Sequence, residues 1–146
     1  MIVLGSDHAG FELKMHIMGY LAGKGHEVKD MGCSSLEPAD YAVYGEAAAR
    51  EVAAGRAEFA IVFCGAGLGI SMAANKVDGI RAALCTNEYM ARMARLHNDA
   101  NVLAMGGRVL GKGLAEAIVD VFLAAKFEGG RHAARVGRLM EIEKRH

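Results

Sequence analysis

The sequence predicts an α/β fold in which helices cover both faces of a parallel β-sheet, and two observations support that prediction. Short apolar segments alternate along the chain with longer amphipathic ones, a succession typical of βαβ units. The apolar segments are also continuous, as in FAIVFC at 59–64, which is typical of strands buried on both sides. We therefore expect one three-layer, doubly wound, Rossmann-like domain over residues 1–146, built on a five-stranded parallel sheet.

In the first half of the chain, we expect strands at the apolar runs and helices where apolar residues recur every three or four positions. Leu13, Ile17 and Leu21 have helical spacing. The alanine-rich segment after Tyr41 ends before Gly55, a residue suited to the end of a helix. The expected strands are 1–5, 26–31 and 59–64, and the expected helices are 11–23 and 41–54.

The second half of the chain continues this alternation. Closely spaced glycines at 65, 67 and 69 lead from the third strand into a helix that runs through 72–76. The final segment is charged and has helical spacing, and we expect this C-terminal helix to pack on a partner subunit. The expected strands are 80–84 and 101–105, and the expected helices are 88–97, 111–126 and 132–144.

The composition argues against several classes of partner. Hydrophobic residues make up 53% of the chain, a high fraction that fits either a compact three-layer domain or apolar surface buried against a second subunit. Acidic and basic residues balance at 17 each, so no global field attracts nucleic acid or an anionic membrane. We therefore expect no nucleic-acid partner and no membrane partner.

The chain also lacks the usual marks of export, membrane insertion or a structural metal. No apolar run approaches the roughly 20 residues that span a bilayer, and the segment MIVLGSDHAG lacks the features of an export signal. The three cysteines form no CxxC pair, which argues against a disulfide framework or a zinc site. We expect a cytoplasmic protein without a metal.

Polar residues follow the first predicted strand, at the sheet edge where doubly wound folds bind their ligands. Asp7 and His8 place a carboxylate beside an imidazole there. The alternative interpretation is that Ser6 or Asp7 only caps the next helix. The residues alone do not separate the two.

A glycine-rich loop follows the third strand and runs Cys64-Gly65-Ala66-Gly67-Leu68-Gly69. It is neither a P-loop nor a dinucleotide-binding motif, which would need glycine at position 70. Its glycines let backbone N–H groups approach an anion, and the next helix adds its positive end. Such a field would stabilise a thiolate on Cys64. The alternative is a buried structural cysteine, which is our interpretation of Cys33 and Cys85.

Two further groups of polar residues lie later in the chain. His97 and Asn98 precede the fifth strand, and Arg108 follows it. Arg131 and Arg135, with Arg138 beyond them, have the spacing of one helix face. A contact of His97 with a helix dipole and ordinary solvated arginines are the alternatives.

Taken together, these residues suit chemistry on a phosphorylated carbonyl compound. They combine a thiol base, imidazoles and an anion-binding loop with arginines, whose planar groups donate paired hydrogen bonds to phosphate. We expect nearly all of them to meet at the carboxyl ends of the strands.

The chain resembles the type B ribose-5-phosphate isomerases and their relatives that act on galactose 6-phosphate and allose 6-phosphate. The resemblance covers essentially the whole chain and implies a five-stranded parallel sheet in a homodimer with two active sites at its interface. Whether the dimers pair into tetramers is left open. The matching segments are GSDHAG, CGAGLGISMAANKVDGIRAALC, HNDANVLAMGGRVLG and GGRHAARV.

The resemblance also implies roles for individual residues, with no metal and no redox cofactor. Cys64 would accept the proton, and His97 would act as the acid that helps to open the sugar ring. Some phosphate-binding arginines, those near the C-terminus, would reach the site from the partner subunit. The implied substrate-binding residues are Asp7, His8, Tyr41, Gly65, Ala66, Gly67, Leu68, Gly69 and Asn98, with Arg108, Arg131 and Arg135 on the phosphate.

Two departures from the family pattern leave the sugar open. Ala66 stands where the family usually has Thr or Ser, and the family's DYPDYA segment is DYAVYG at 40–45. Both lie where sugar contacts are expected. The expected substrates are ribose 5-phosphate and ribulose 5-phosphate, interconverted through a cis-enediolate.

Two alternatives remain at this point. The same chemistry could act on erythrulose 4-phosphate, allose 6-phosphate or galactose 6-phosphate. From another class, the chain could be a non-catalytic module that binds a phosphate or a nucleotide. Such a module would have no use for Cys64 together with His97.

Overall fold

A computed structural model describes residues 1–145 and contains a five-stranded sheet in which every paired neighbour is parallel. The strand order is β2-β1-β3-β5-β4. This arrangement confirms the predicted α/β, Rossmann-like fold. The strands are β1 (Ile2–Ser6), β2 (Val28–Asp30), β3 (Phe59–Cys64), β4 (Ala82–Leu84) and β5 (Val102–Gly106).

Six helices connect and follow the strands. Among residues 1–145, none of them has the length and apolar character that crossing a bilayer requires. The helices are α1 (Phe11–Gly23), α2 (Tyr41–Ala53), α3 (Leu68–Asn75), α4 (Glu88–Leu96), α5 (Lys112–Ala124) and α6 (Arg131–Glu141), with a 3₁₀ turn at Ile142–Lys144.

The predicted and observed bounds differ most at β2 and β4. The sequence predicts strands at 26–31 and 80–84, whereas each observed strand has three residues. These are the two outer strands of the sheet, and each pairs along only three positions of its single neighbour. The sequence therefore overestimates the length of both edge strands, each of which has only one neighbour to pair with.

The core lies on both faces of the sheet, and β3 contributes to each. Ile61 and Phe63 belong to the cluster that packs against α1, α4 and α5, and Val62 and Cys64 belong to the cluster against α2 and α3. All residues of β3 are buried. Full burial of a large apolar side chain contributes about 1.5–3 kcal/mol, so the two clusters fix the strand that ends at Cys64.

The strand order places a topological switch point between β1 and β3. The chain leaves β1 toward β2 on one side and leaves β3 toward β4 and β5 on the other. Doubly wound sheets bind ligands outside the carboxyl ends of the strands at such a point. The register pairs Ser6 with Phe63 and Cys64 with Gly106, so the ends of β1, β3 and β5 lie side by side.

A buried lysine ties α1 to the segment that follows β2. The side chain of Lys14 is fully buried, and its ammonium group donates to a carboxylate oxygen of Asp30 at 2.8 Å and to the carbonyl of Cys33. Asp30 also accepts the N–H of Gly32 at 2.9 Å. The lysine thus fastens the chain beneath the carboxyl end of β1.

Candidate active site

One group of predicted site residues meets at the carboxyl ends of β1, β3 and β5. We call it the carboxyl-edge cluster, and Cys64 lies at its centre as the last residue of β3. Cys64 is 5% exposed, and its carbonyl accepts the N–H of Gly107 at 2.8 Å. The cluster consists of Asp7, His8, Tyr41, Cys64, the loop 65–69 and Arg108.

The glycine loop turns directly from Cys64 into α3. Gly67 lies in the left-handed region at φ 80° and caps the helix. A Cβ atom at this position would lie 2.6 Å from Cδ1 of Leu84 and 2.9 Å from the carbonyl carbon of Met105. Only glycine fits there. The first N–H groups of α3 have no partner inside the helix, so the loop presents donors and a positive helix end beside Cys64.

Asp7 has a structural role in the turn before α1. Its Oδ1 accepts the N–H of Gly10 at 3.0 Å, and its own N–H donates to the carbonyl of Phe63 at 3.3 Å. The N-cap residue of α1 is Gly10, and no side chain caps that helix, so the helix-capping interpretation is wrong. The carboxylate is buried, and Oδ2 lies outside this hydrogen bond.

His8 is held in one orientation and one tautomer. Its Nδ1 accepts the N–H of Ala39 at 3.1 Å. A ring nitrogen that accepts cannot carry a proton, so the proton of the neutral ring is on Nε2. The imidazole consequently offers Nε2–H as a donor for hydrogen bonding.

Tyr41 and Arg108 frame the glycine loop from its two sides. A Cβ atom on Gly69 would lie 2.6 Å from the ring of Tyr41, so the tyrosine packs directly on that glycine. Arg108 is exposed and donates its backbone N–H to the carbonyl of Gly65 at 3.0 Å. The Cβ position of Gly65 is 3.6 Å from Nη1 of Arg108, so the guanidinium group lies over the loop.

The loop presents no side-chain hydroxyl at Ala66. The methyl group of Ala66 is exposed, as is the side chain of Leu68. The hydroxyl of Ser71, in the helix that follows the loop, donates to the carbonyl of Leu68 at 2.7 Å. That donor is therefore used within α3.

A second group of predicted site residues, the amino-edge cluster, lies at the opposite edge of the sheet. It consists of His97, Asn98, Arg131 and Arg135. The expectation that nearly all site residues meet at the carboxyl ends of the strands is wrong for these four. His97 and Asn98 precede β5, and α5 returns the chain to that edge before α6 begins. Since β5 rises about 3.3 Å per residue, its length alone separates the clusters by roughly 13 Å.

Within the amino-edge cluster, His97 contacts two residues that the sequence did not single out. Its Nε2 lies 3.1 Å from Oε1 of Glu128, and its ring stacks on that of His132 with centroids 4.0 Å apart and an interplanar angle of 10°. Burial, and next the neighbouring His97, lower the pKa of His132. Their position in the sequence could have identified them, because both residues flank the Gly129–Gly130 turn beside Arg131.

An ionic network stabilises the turn that carries His97 and Asn98. Asp99 has φ 49° and accepts from Arg95 at 3.2 Å, while its carbonyl accepts Nε of Arg81 at 2.8 Å. Asn98, directly before it, is exposed. The two arginines thus fix a backbone conformation that presents Asn98 to the outside.

Among the described residues, His97, Glu128 and His132 form a group whose ligand atoms lie within 4.8 Å of one another. A metal ion binds an imidazole nitrogen in the plane of the ring. Two rings that stack 4.0 Å apart and nearly parallel direct their nitrogens side by side rather than toward one point. The arrangement suits an acid–base pair better than a metal centre.

The chain matches one protein family and is similar in sequence to several known proteins. A family model described as Ribose/Galactose Isomerase matches residues 2–139. The chain is 49% identical over 144 residues to ribose-5-phosphate isomerase B of Escherichia coli (strain K12), covering 99% of this chain and 97% of that protein. It is 48% identical over 128 residues to galactose-6-phosphate isomerase subunit LacB of Clostridium acetobutylicum, covering 88% and 74%.

Solved structures superpose closely on this chain. Ribose-5-phosphate isomerase B of Clostridium thermocellum superposes with a TM-score of 0.97 at 57% identity, covering 98% of this chain and 97% of that one. Ribose-5-phosphate isomerase B of Mycoplasma genitalium, solved with bound ribulose-5-phosphate, superposes with a TM-score of 0.95 at 39% identity, covering 99% and 97%.

Proposed function

Because this chain belongs to the ribose/galactose isomerase family and is a sugar-phosphate aldose–ketose isomerase, we propose that it interconverts ribose 5-phosphate and ribulose 5-phosphate with Cys64 as the base. The observation that carries the proposal is the place of Cys64. It ends a fully buried strand at the switch point of the sheet, directly before a glycine loop with free backbone donors.

The proposed isomerisation moves one proton between two carbons. The thiolate of Cys64 removes the proton from C2, the aldehyde oxygen takes up the electron pair, and a cis-enediolate forms. Backbone N–H groups of the glycine loop stabilise the charged oxygen. Cys64 then returns the proton to C1 while the proton of the O2 hydroxyl passes to O1, so that C2 becomes the carbonyl and C1 carries the hydroxyl. A positioned base contributes about 10²–10⁴-fold, and one oxyanion donor roughly 10²–10³-fold.

The other two cysteines lack the features that suit this role. Burial raises the pKa of Cys85 to about 11, so it remains a thiol at neutral pH. Cys33 is buried, and its Sγ lies 3.3 Å from the carbonyl of Ser35 and 3.9 Å from the hydroxyl of Ser6. Neither follows a strand into a glycine loop as Cys64 does.

Ring opening and phosphate binding would use the remaining predicted residues. His97 protonates the ring oxygen, and Asp7 accepts the proton of the anomeric hydroxyl. Arg131 and Arg135 are exposed and four residues apart on α6, where their guanidinium groups suit a phosphate dianion. Arg108 would add a third guanidinium group from the edge that carries Cys64.

A second copy of the chain would join the two clusters. In one chain they lie at opposite edges of the sheet, so a single chain cannot place His97 against a sugar held at Cys64. Two copies related by a two-fold axis bring the carboxyl-edge cluster of each against the amino-edge cluster of the other. Exposed apolar side chains beside both edges support such an interface: Leu68, Met72, Leu139 and Ile142.

A panel of sugar phosphates tests the proposed substrate. We expect the largest kcat/KM for ribose 5-phosphate, compared with erythrulose 4-phosphate, allose 6-phosphate and galactose 6-phosphate. A larger kcat/KM for one of the other sugar phosphates would mean that the chain catalyses the same reaction on that substrate. Binding of several sugar phosphates without turnover of any would instead indicate a non-catalytic module.

A further inference from the structure

We propose that Glu128 is a positioning residue for the opening of the sugar ring, acting through His97 and on that step alone. The inference rests on the role proposed above for His97. It goes beyond that role because it assigns a function to a carboxylate outside the predicted site and states which half of the reaction depends on it.

The contact between the two side chains is direct. Nε2 of His97 lies 3.1 Å from Oε1 of Glu128. The side chains of His97 and Glu128 are 36% and 52% exposed, so burial alone does not fix the imidazole. The backbone of Glu128 is anchored, because its N–H donates to the carbonyl of Leu96 at 3.0 Å. The carboxylate of Glu128 therefore meets the imidazole of His97 from an anchored backbone.

His132 restrains the same ring from its face. The two imidazoles stack 4.0 Å apart, and His132 is itself buried, with its N–H bonded to the carbonyl of Gly129 at 3.0 Å. Burial, and next the neighbouring His97, lower the pKa of His132. His132 thus fixes the plane of the His97 imidazole, and Glu128 fixes how the ring is rotated within that plane.

This geometry assigns separate tasks to the two nitrogens of His97. Nε2 faces the carboxylate of Glu128 in an ion-pair contact and keeps its proton, as the nitrogen that faces a carboxylate does in other acid–base sites. Nδ1–H of the imidazolium then donates its proton to the ring oxygen while the C1–O4 bond breaks and its electron pair passes to O4. The anomeric hydroxyl loses its proton to the base on the other cluster, and the carbonyl forms. Glu128 exchanges no proton with the sugar.

Ribulose 5-phosphate separates this step from the proton transfer at carbon. Its carbonyl is at C2 and its O5 is esterified, so it cannot close a five-membered ring and enters the site as an open chain. Exchange of its C1 proton with solvent needs Cys64 and the glycine loop, but no ring opening. Net conversion of ribose 5-phosphate, which is a furanose in solution, needs both steps.

The experiment compares these two readouts in the full-length protein. Glu128→Ala is measured for kcat/KM on ribose 5-phosphate and for the initial rate at which solvent deuterium enters C1 of ribulose 5-phosphate. Glu128→Gln keeps the length and polarity of the side chain beside Nε2 without the charge. Glu141→Ala on α6 is the matched control, because it removes another exposed carboxylate, which contacts Arg145 at 3.5 Å.

We expect Glu128→Ala to lower kcat/KM for ribose 5-phosphate by about 10- to 100-fold, by analogy with the loss of a residue that orients a metal-bound imidazole. Deuterium entry should change by less than about twofold, Glu128→Gln should be intermediate, and Glu141→Ala should match the wild type. An equal loss in both readouts, or no loss in either, would overturn the proposal.

The failure of this proposal is distinguishable from the failure of the proposed function. If Cys64→Ala abolishes both readouts while Glu128→Ala changes neither, the proposed isomerase function is supported and the proposed role of Glu128 is wrong. If the wild type neither converts ribose 5-phosphate nor introduces deuterium into ribulose 5-phosphate, the proposed function itself fails.

Discussion

The carboxyl-edge cluster and the amino-edge cluster are built by opposite means. At the carboxyl edge, the backbone determines the geometry of the site. Cys64 ends a buried strand, and Gly67 and Gly69 let neighbouring side chains pack where a Cβ atom would come within 2.6 Å of them. At the amino edge, exposed side chains carry the function, and His97 is held by one carboxylate and one stacked ring.

The difference shows which of the two clusters needs the more precise geometry. Proton transfer at carbon needs reacting atoms within about 3–3.5 Å in a fixed orientation, and a backbone site supplies that rigidity. Phosphate capture tolerates small displacements, because long arginine side chains adjust to the anion. We therefore expect substitutions at the carboxyl edge to act on kcat or stability and those at the amino edge to act on KM or ring opening.

The largest expected effect comes from the thiol at the carboxyl edge. Cys64→Ala should lower kcat for ribose 5-phosphate by at least about 10²-fold, because a general base is lost. Cys85→Ala is the matched control, since Cys85 follows β4 at the same edge and burial raises its pKa to about 11. Activity of Cys64→Ala above roughly a tenth of the wild type would remove the thiol from the mechanism.

At the amino edge, Arg135→Ala should raise KM for ribose 5-phosphate by about 10- to 100-fold, since a hydrogen bond to a charged group contributes about 1.5–3 kcal/mol. Arg92→Ala, which removes an exposed arginine of α4, should leave KM unchanged. Steady-state kinetics of the two variants measure the difference.

Mixed dimers then test whether the two clusters meet between chains. On random mixing of Cys64→Ala with Arg135→Ala, half of the dimers are mixed and each holds one intact site, so about a quarter of the wild-type activity should return. Mixed dimers that form without regaining activity would place the arginine in the site of its own chain.

Another prediction concerns the backbone character of the carboxyl edge. Gly67→Ala should lower the melting temperature more than Gly129→Ala, although both glycines have positive φ, 80° and 69°. A Cβ on Gly67 meets Leu84 and Met105, whereas one on Gly129 meets nothing within 4 Å. Strained backbone costs about 1–3 kcal/mol, and a thermal melt of both variants checks the order. Equal melting temperatures would mean that the loop relaxes around the added methyl group.

The smallest expected effect is on sugar preference. Ala66→Thr should raise kcat/KM for ribose 5-phosphate relative to the other sugars of the panel, since a buried polar group left unpaired costs about 1–3 kcal/mol. Ala66→Val controls for shape, because valine has the form of threonine without its hydroxyl. The same preference in both variants would show that the hydroxyl is not recognised.

The sequence predicts the carboxyl edge better than the amino edge, for a physical reason. Periodicity and glycine spacing are local, and they place α1 at 11–23 and β3 at 59–64 with the bounds that the structure has. Because parallel strands align their carboxyl ends, Asp7 and Cys64 follow from those elements alone.

The contacts of the amino edge are not local. His97 meets residues 31 and 35 positions later in the chain. Their approach depends on how α5 returns across the sheet and on the turn at 129–130, and no spacing rule encodes that path. His132 illustrates the point, because it is adjacent to Arg131 yet about 100° around the helix, where it faces His97 instead of solvent.

Lys14 has a consequence for the order in which the chain can assemble. Docking of α1 on the sheet buries its ammonium group completely, and a buried charge that lacks its partner costs about 3–5 kcal/mol. The partners of Lys14 are Asp30 and the carbonyl of Cys33, which the chain supplies only after β2 has paired with β1. We therefore expect the first strand, the first helix and the segment through Cys33 to form as one cooperative unit, without an early species in which α1 is docked alone.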